Sequence, residues 1–220
     1  MLAHKKKGFT LIELLVVLVV ASILLSSLLA VYSTALLAYQ RAMNTARLTQ
    51  SLQSAMLLMT NDIRRAGFWK NAKTDVNAGS NHNPFMLNDI TVNGTNNCIL
   101  FTYDRNGLGS LPSIGAGTDD ERYGFRLQSG AIQSRPSGAM YDCNAPSGNW
   151  LNITDPASIT ITQLTFTVTN TSLSVPAGSG SPTLIIRTVN VSITGQLLSD
   201  STVTKTLNQL VRVHNDNYSP

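Results

Sequence analysis

Residues 8–38 read GFTLIELLVVLVVASILLSSLLAVYSTALLA, apolar from Phe9 onward except for small hydroxyl side chains, Tyr32 and a single charge, Glu13. As a helix this run would be roughly 45 Å long, whereas about 20 residues suffice to cross a hydrocarbon core near 30 Å. The hydroxyls do not spoil such a span, because they can bond back to carbonyls of their own helix. A secretory signal removed by ordinary signal peptidase needs a short apolar region with a small-x-small site behind it. Ser33, Thr34 and Ala35 are the only passable site, so the segment is expected to remain on the protein as a membrane span. Lys5, Lys6 and Lys7 precede it and nothing basic follows until Arg41. Cytoplasmic flanks carry the excess of basic residues, which puts the N-terminus in the cytoplasm and everything past Ala38 on the far side.

Glu13 is the exception in this run. An acidic residue at the centre of an apolar helix costs about 2.5 to 3.5 kcal/mol, so such a group rests at the headgroup boundary or has a cationic partner. Cleavage after Gly8 would make one by exposing the amine of Phe9, about one helical turn before Glu13. The two groups could pair within one chain, or between two chains packed side by side with an axial stagger. Only the second arrangement explains an assembly.

Lys5-Lys6-Lys7-Gly8 followed by Phe9-Thr10-Leu11-Ile12-Glu13 resembles the class III signal of type IV pilins and pseudopilins. The resemblance implies that a prepilin peptidase cuts between Gly8 and Phe9 and methylates the new Phe9 amine. It also implies that Glu13 assists methylation and pairs with the amine of a neighbouring subunit.

The length of 220 residues suits one domain beside a long helix. The formal charge of +4 includes Lys5–Lys7; without them 13 basic residues face 12 acidic ones, which is no nucleic-acid footprint. The two cysteines, Cys98 and Cys143, lie beyond the span, where an oxidising compartment would let them pair as a disulfide. Neither has a second cysteine nearby and no His-x-x-x-His accompanies them, which disfavours zinc.

Helical periodicity continues past the span. Leu48, Leu52, Ala55, Met56, Met59 and Ile63 recur at three- and four-residue steps with polar residues between them, so one helix is expected from Phe9 to about Ala66, with Gly67 as its stop. Its outer half should lay that stripe on a sheet. Residues 68–87 turn polar and read as an irregular loop. Strand signals follow at 98–103, 122–128 and 131–134, the last two joined at Ser129-Gly130 as a hairpin with a two-residue turn. In residues 158–169 the apolar parity switches between Ile161 and Leu164, which predicts a bulge near Thr162-Gln163. Residues 184–197 and 203–213 complete the antiparallel set, and residues 171–182, rich in Ser, Gly and Pro, read as an exposed connection.

Asp62-Ile63-Arg64-Arg65-Ala66-Gly67-Phe68, the hairpin at 123–128, Trp150 ahead of Leu164-Thr165-Phe166, and the closing Leu210-Val211-Arg212-Val213 resemble PilW minor pilins and, more distantly, GspJ pseudopilins of type II secretion. The implied fold is α+β and pilin-like: a leader at 1–8, a transmembrane and stalk helix at 9–66, and a β-rich globular domain at 67–220. The implied role is a minor pilin of a type IV pilus that helps initiate assembly at the filament tip, in twitching motility and adhesion; a type II secretion pseudopilin and a membrane-tethered periplasmic binding module are the alternative readings. Its partners would be the prepilin peptidase, other minor pilins and the major pilin. It would cross the inner membrane once before joining a surface filament. Two features depart from a major pilin: the span has no helix-breaking proline, and the cysteines lie mid-domain.

No catalytic constellation emerges, and no cofactor or metal is implied. The glycines at 107–109 and 115–117 lack the spacing and the Lys-Ser/Thr of a phosphate loop. Asp104, Asn106 and Gly107 resemble the start of a calcium loop, but glycine stands where later ligands belong. Asp119-Asp120-Glu121 reads as a solvated acidic turn, and Arg122, Arg126 and Arg135 as a solvated hairpin face whose basic patch would permit DNA or a surface ligand. His82 and His214 are isolated on polar segments.

Overall fold

The structure, a computed structural model, describes residues 8–77, 82–86, 90–114, 120–146, 149–174 and 182–219. Lys5, Lys6 and Lys7, the glycines at 115–117 and Asp119 lie outside the described residues. The chain divides into two units, Met1–Ala46 and Arg47–Pro220.

In the first unit the chain is helical from Leu11 onward, as part of α1 (Leu11–Ile63). The apolar window of this helix has a mean hydropathy of 3.0 and none of it is buried in protein. Ser22, Ser26, Ser27, Ser33 and Thr34 each donate to the carbonyl three residues back, at 2.8 to 2.9 Å. The hydroxyls thereby take care of themselves, and the segment needs no external polar partner along this stretch.

The second unit is built on the last part of α1. Leu48, Leu52, Ala55, Met56, Met59 and Ile63 are all buried, in one core with Ile161, Leu164, Phe166, Val189, Val191 and Ile193. Gly195 leaves room for the helix, since a β-carbon there would lie 3.0 Å from Leu52 Cδ2 and 3.3 Å from Ile161 Cδ1. The regular helix ends at Ile63, short of the expected Ala66, and residues 64–67 form the turn that leads out of it. Gly67 adopts φ +75° and its N–H donates to Thr102 O at 2.8 Å, turning the chain onto the sheet. Asn215 Nδ2 reaches back to the orphaned carbonyls of Arg65 and Ala66.

Two antiparallel sheets follow. The first has the order β1 (Thr91–Val92), β2 (Cys98–Thr102), β3 (Arg122–Gln128), β4 (Ala131–Ser134), β5 (Leu151–Asn152). The second runs β6 (Ile159–Ser174), β7 (Thr183–Leu197), β8 (Thr204–Arg212), with β9 (Asn217–Ser219) also on β7. The β3–β4 turn has φ of 52° at Ser129 and 74° at Gly130, the two positive values that a two-residue turn matched to strand twist requires. The carbonyl of Gly130 accepts from Ile161 N, and that of Asn96 from Phe166 N, both at 2.8 Å, which joins the first sheet to the edge of β6. The register of β6 on β7 slips between Ile161 and Gln163, the place where the apolar parity switches.

Three expectations need correcting. The polar stretch after Phe68 contains a short helix, α2 (Ala72–Asn77), and the two-residue strands β1 and β5 and the three-residue β9 were not anticipated. Residues 171–174 are not a connection but the end of β6, paired through Ser174 with Thr183. Threonine-rich strand with both faces exposed has no apolar alternation to betray it. The remainder of that segment, residues 175–181, lies outside the described residues.

Gly195→Val should destabilise the globular unit by about 1–3 kcal/mol, because its methyl groups would enter space held by Leu52 and Ile161. Urea unfolding of the purified chain measures this, and an unchanged midpoint would contradict so close an approach of helix and sheet.

Candidate functional site

The residues around the expected cleavage point precede the first helical turn. Gly8 is exposed, with nothing within 4 Å of where its β-carbon would stand. Phe9 is 82% exposed. Thr10 is the N-cap of α1: its carbonyl accepts from Leu14 N at 3.3 Å. Its N–H donates to Glu13 Oε2 at 3.0 Å, and its hydroxyl donates to the same oxygen at 2.7 Å. Thr10 and Glu13 thus form the reciprocal half of a capping box, in which the third helical residue reaches back to the N-cap amide. The helix dipole also favours a carboxylate in this first turn. Thr-x-x-Glu ahead of an apolar run is a sequence signal for this cap, and the reading of Glu13 from burial cost alone missed it. Both bonds land on Oε2, while a carboxylate has acceptor sites on two oxygens.

In the globular unit, Cys98 Sγ and Cys143 Sγ are bonded at 2.04 Å. The bridge anchors the loop after β4 over the outer face of the first sheet, where Cys98, Leu100, Ala145 and Trp150 make a second small core. This cover overturns the expectation of a solvated arginine face. Arg122, Arg126 and Arg135 are 8%, 2% and 5% exposed. Arg126 lies over the Trp150 ring at 4.5 Å and donates to Gln133 Oε1 and to the carbonyls of Cys143 and Ala145 at 2.7 to 2.9 Å. The arginines tie down an irregular loop whose backbone would otherwise be buried without partners.

The acidic residues beside them are not solvated either. Asp120 is fully buried and its two oxygens accept from Arg135 Nη1 at 2.8 Å and Nη2 at 2.5 Å. Glu121 Oε1 accepts the backbone N–H groups of Arg105 and Asn106 at 2.8 and 3.0 Å. Asp104 Oδ2 accepts from Lys70 N at 3.0 Å. These carboxylates hold the loop after β2 in place. Among the described residues no three His, Cys, Asp or Glu side chains are grouped to hold a metal ion. His82 Nδ1 lies 2.9 Å from Asp75 Oδ1 on the surface, and His214 N donates to Arg64 O.

Burial alone would raise the Asp120 carboxyl, but the hydrogen bonds and charge of Arg135, with Arg122 behind it, outweigh that and hold it below its ordinary 3.8. A depressed carboxyl stabilises the fold above its unfolded value, and the contribution is lost as pH falls through the folded one. Asp120→Asn should cost about 3–5 kcal/mol at pH 7 by leaving Arg135 buried without its carboxylate. In urea titrations the deficit against the unaltered chain should shrink as the pH drops below 3.8. A deficit that stays constant as the solution is acidified further would show that the charge of Asp120 is not what stabilises the loop.

Comparison with known families divides the chain near the same place as its two units. Residues 3–29 match the prokaryotic N-terminal methylation motif, and residues 41–213 match prepilin peptidase-dependent protein B. No curated protein and no solved structure matches the chain significantly. With the methylation motif at one end and the second match running over most of its length, the chain belongs to the family of prepilin peptidase-dependent protein B, and is pilin-like.

Proposed function

We propose that this chain is a PilW-like minor pilin of a type IV pilus that takes part in starting filament assembly at the tip, in the service of twitching motility and adhesion. The prepilin peptidase cuts between Gly8 and Phe9 and methylates the Phe9 amine. The leader is 1–8, the stalk helix 9–66 and the displayed domain 67–220. Before assembly the chain crosses the inner membrane once, with its N-terminus in the cytoplasm.

The observation that carries this reading is the state of the first half of α1. Leu14, Leu18, Leu25 and Leu29 are each more than half exposed, so the chain itself supplies no cover for this surface. Lipid covers it before assembly. Neighbouring apolar helices of other minor pilins and of the major pilin cover it afterwards, through packing rather than through a new hydrophobic gain. Glu13 fits both stages. Thr10 holds it by Oε2, and Oε1 accepts the Phe9 amine of a neighbouring subunit, which fixes the axial stagger between chains. The exposed, uncluttered backbone at Gly8 suits a protease that must approach closely.

Gly8→Ala should leave the precursor uncut, which an immunoblot reads as a larger species; mature protein at the normal size would remove Gly8 from the cleavage site. Glu13→Ala should be inserted and cleaved normally yet reach sheared pili about tenfold less, the effect of roughly 1.4 kcal/mol. Normal incorporation would sink the pairing role. A deletion strain should lose surface pili and twitching while secreting exoenzymes normally. Normal pili with lost secretion would assign the chain to a type II secretion pseudopilus instead.

A further inference from the structure

A cavity of about 410 Å³ opens in the globular unit between the last turns of α1, the end of β2 and the β3–β4 hairpin. Its lining residues, from Leu58 to Ser137, lie outside the methylation motif at residues 3–29. Its volume falls within the range of small-ligand sites, roughly 300–1,000 Å³. Its walls are of three kinds. Tyr103 and Tyr123 stack with ring centroids 4.1 Å apart, and both line the cavity. Four arginines, Arg65, Arg105, Arg122 and Arg135, line it against two aspartates, Asp62 and Asp120, among the described residues. Ser134 and Ser137 add hydroxyls.

The charges are not equivalent. Asp120 and Arg135 are committed to each other. Arg122, 8% exposed, donates through Nη1 to the carbonyls of Pro112 and Asp120 and shares the Asp120 carboxylate's charge with Arg135. Arg65 and Arg105 are exposed at the mouth, and both act electrostatically on Asp62. Tyr103 stacks on Tyr123 and lines the same cavity as Asp62 and Arg65, which places the aromatic wall beside the charged one. The described walls therefore carry a surplus of guanidinium over carboxylate in a concave site, where charge is less screened than at an open surface.

That chemistry selects among ligands. A wholly apolar molecule would bury the guanidinium groups against nothing. A phosphate dianion would meet the Asp62 carboxylate in the same wall. A nucleic-acid strand needs a basic track along its backbone, whereas this site is a single compact concavity. A singly charged carboxylate on a ring with hydroxyls and an apolar face meets each wall with a matching group. We propose that this cavity binds a carboxylate-bearing sugar: Arg65, Arg105 and Arg122 receive the carboxylate, Asp62 accepts from ring hydroxyls, and the Tyr103–Tyr123 wall takes the C–H face.

The test is calorimetric titration of the full chain in detergent micelles with D-glucuronate, D-glucose and inorganic phosphate. D-glucuronate should bind saturably with Kd on the order of 1 mM, and D-glucose and phosphate each at least about tenfold more weakly. The pair of exposed substitutions Arg65→Gln and Arg105→Gln should weaken glucuronate binding about tenfold while the urea midpoint stays put. Arg212→Gln, on β8 and away from the cavity, should change nothing. The proposal fails if glucuronate gives no saturable heat, if glucose or phosphate binds as tightly, or if the double variant binds like the unaltered chain. These outcomes are independent of whether the chain enters a pilus.

Discussion

One helix must satisfy two solvents, and the rest of the structure depends on how it does so. From Leu14 to Ala38 its side chains, small hydroxyls and Tyr32 apart, are apolar on every side and exposed, which water does not tolerate over such a length. From Leu48 to Ile63 the same helix is amphipathic, with its apolar stripe wholly buried against the sheets. The change of pattern, not a break in the backbone, separates the two regimes, and no proline or glycine interrupts α1. Among the described residues nothing covers the first half, whereas the stripe of the second is covered by the sheets. The proposed role, a subunit held first in lipid and then among other helices, would supply the missing cover.

Much of this was legible because it rests on periodicity. The unbroken apolar run, the buried stripe, the positive-φ turn at Ser129-Gly130 and the bulge where β6 changes parity are each dictated by local geometry. What periodicity cannot say is what lies over a given face. Arg122, Gly124 and Arg126 occupy one side of β3, and alternation assigns that side to water. The loop that covers it has neither helical nor strand pattern, so its position was invisible in the sequence. Its signals were indirect: Cys143 fastened to Cys98, and Trp150, a ring that the guanidinium of Arg126 approaches to 4.5 Å. Gly124 carries the same message, since a β-carbon there would come within 3.1 Å of the Trp150 ring.

The acidic and basic residues of the hairpin were misread for a related reason. A run such as Asp119-Asp120-Glu121 is ordinarily a solvated turn. Here the two described members are less than 2% exposed, and each is spent on a specific donor: Asp120 on Arg135, Glu121 on the amides of Arg105 and Asn106. The charge run supplies the bonds of an irregular loop that cannot bond to itself. The capping role of Glu13 was missed differently. It is written in the sequence as Thr10-x-x-Glu13, but a costly carboxylate draws attention to distant partners before near ones.

The two halves of the chain also differ in what they can specify. An apolar helix with one carboxylate near its start is chemically generic, and any subunit carrying the same features could pack beside it. An axial register set by Glu13, as proposed above, would be the same for every neighbour that offers an N-terminal amine. What makes such a subunit different would therefore reside from Arg47 onward, where the chain invests in the buried Asp120–Arg135 ion pair, a disulfide-fastened loop and a charged, aromatic-walled cavity. Burying ions is expensive unless geometry compensates, and a domain built only to cap a helix could cover its stripe with apolar side chains alone. The arginine framework instead holds irregular backbone in a fixed shape around β3 and β4. Such a fixed, non-repeating surface is what a singular position in an assembly requires, since recognition of one partner or ligand depends on groups that stay where the fold puts them.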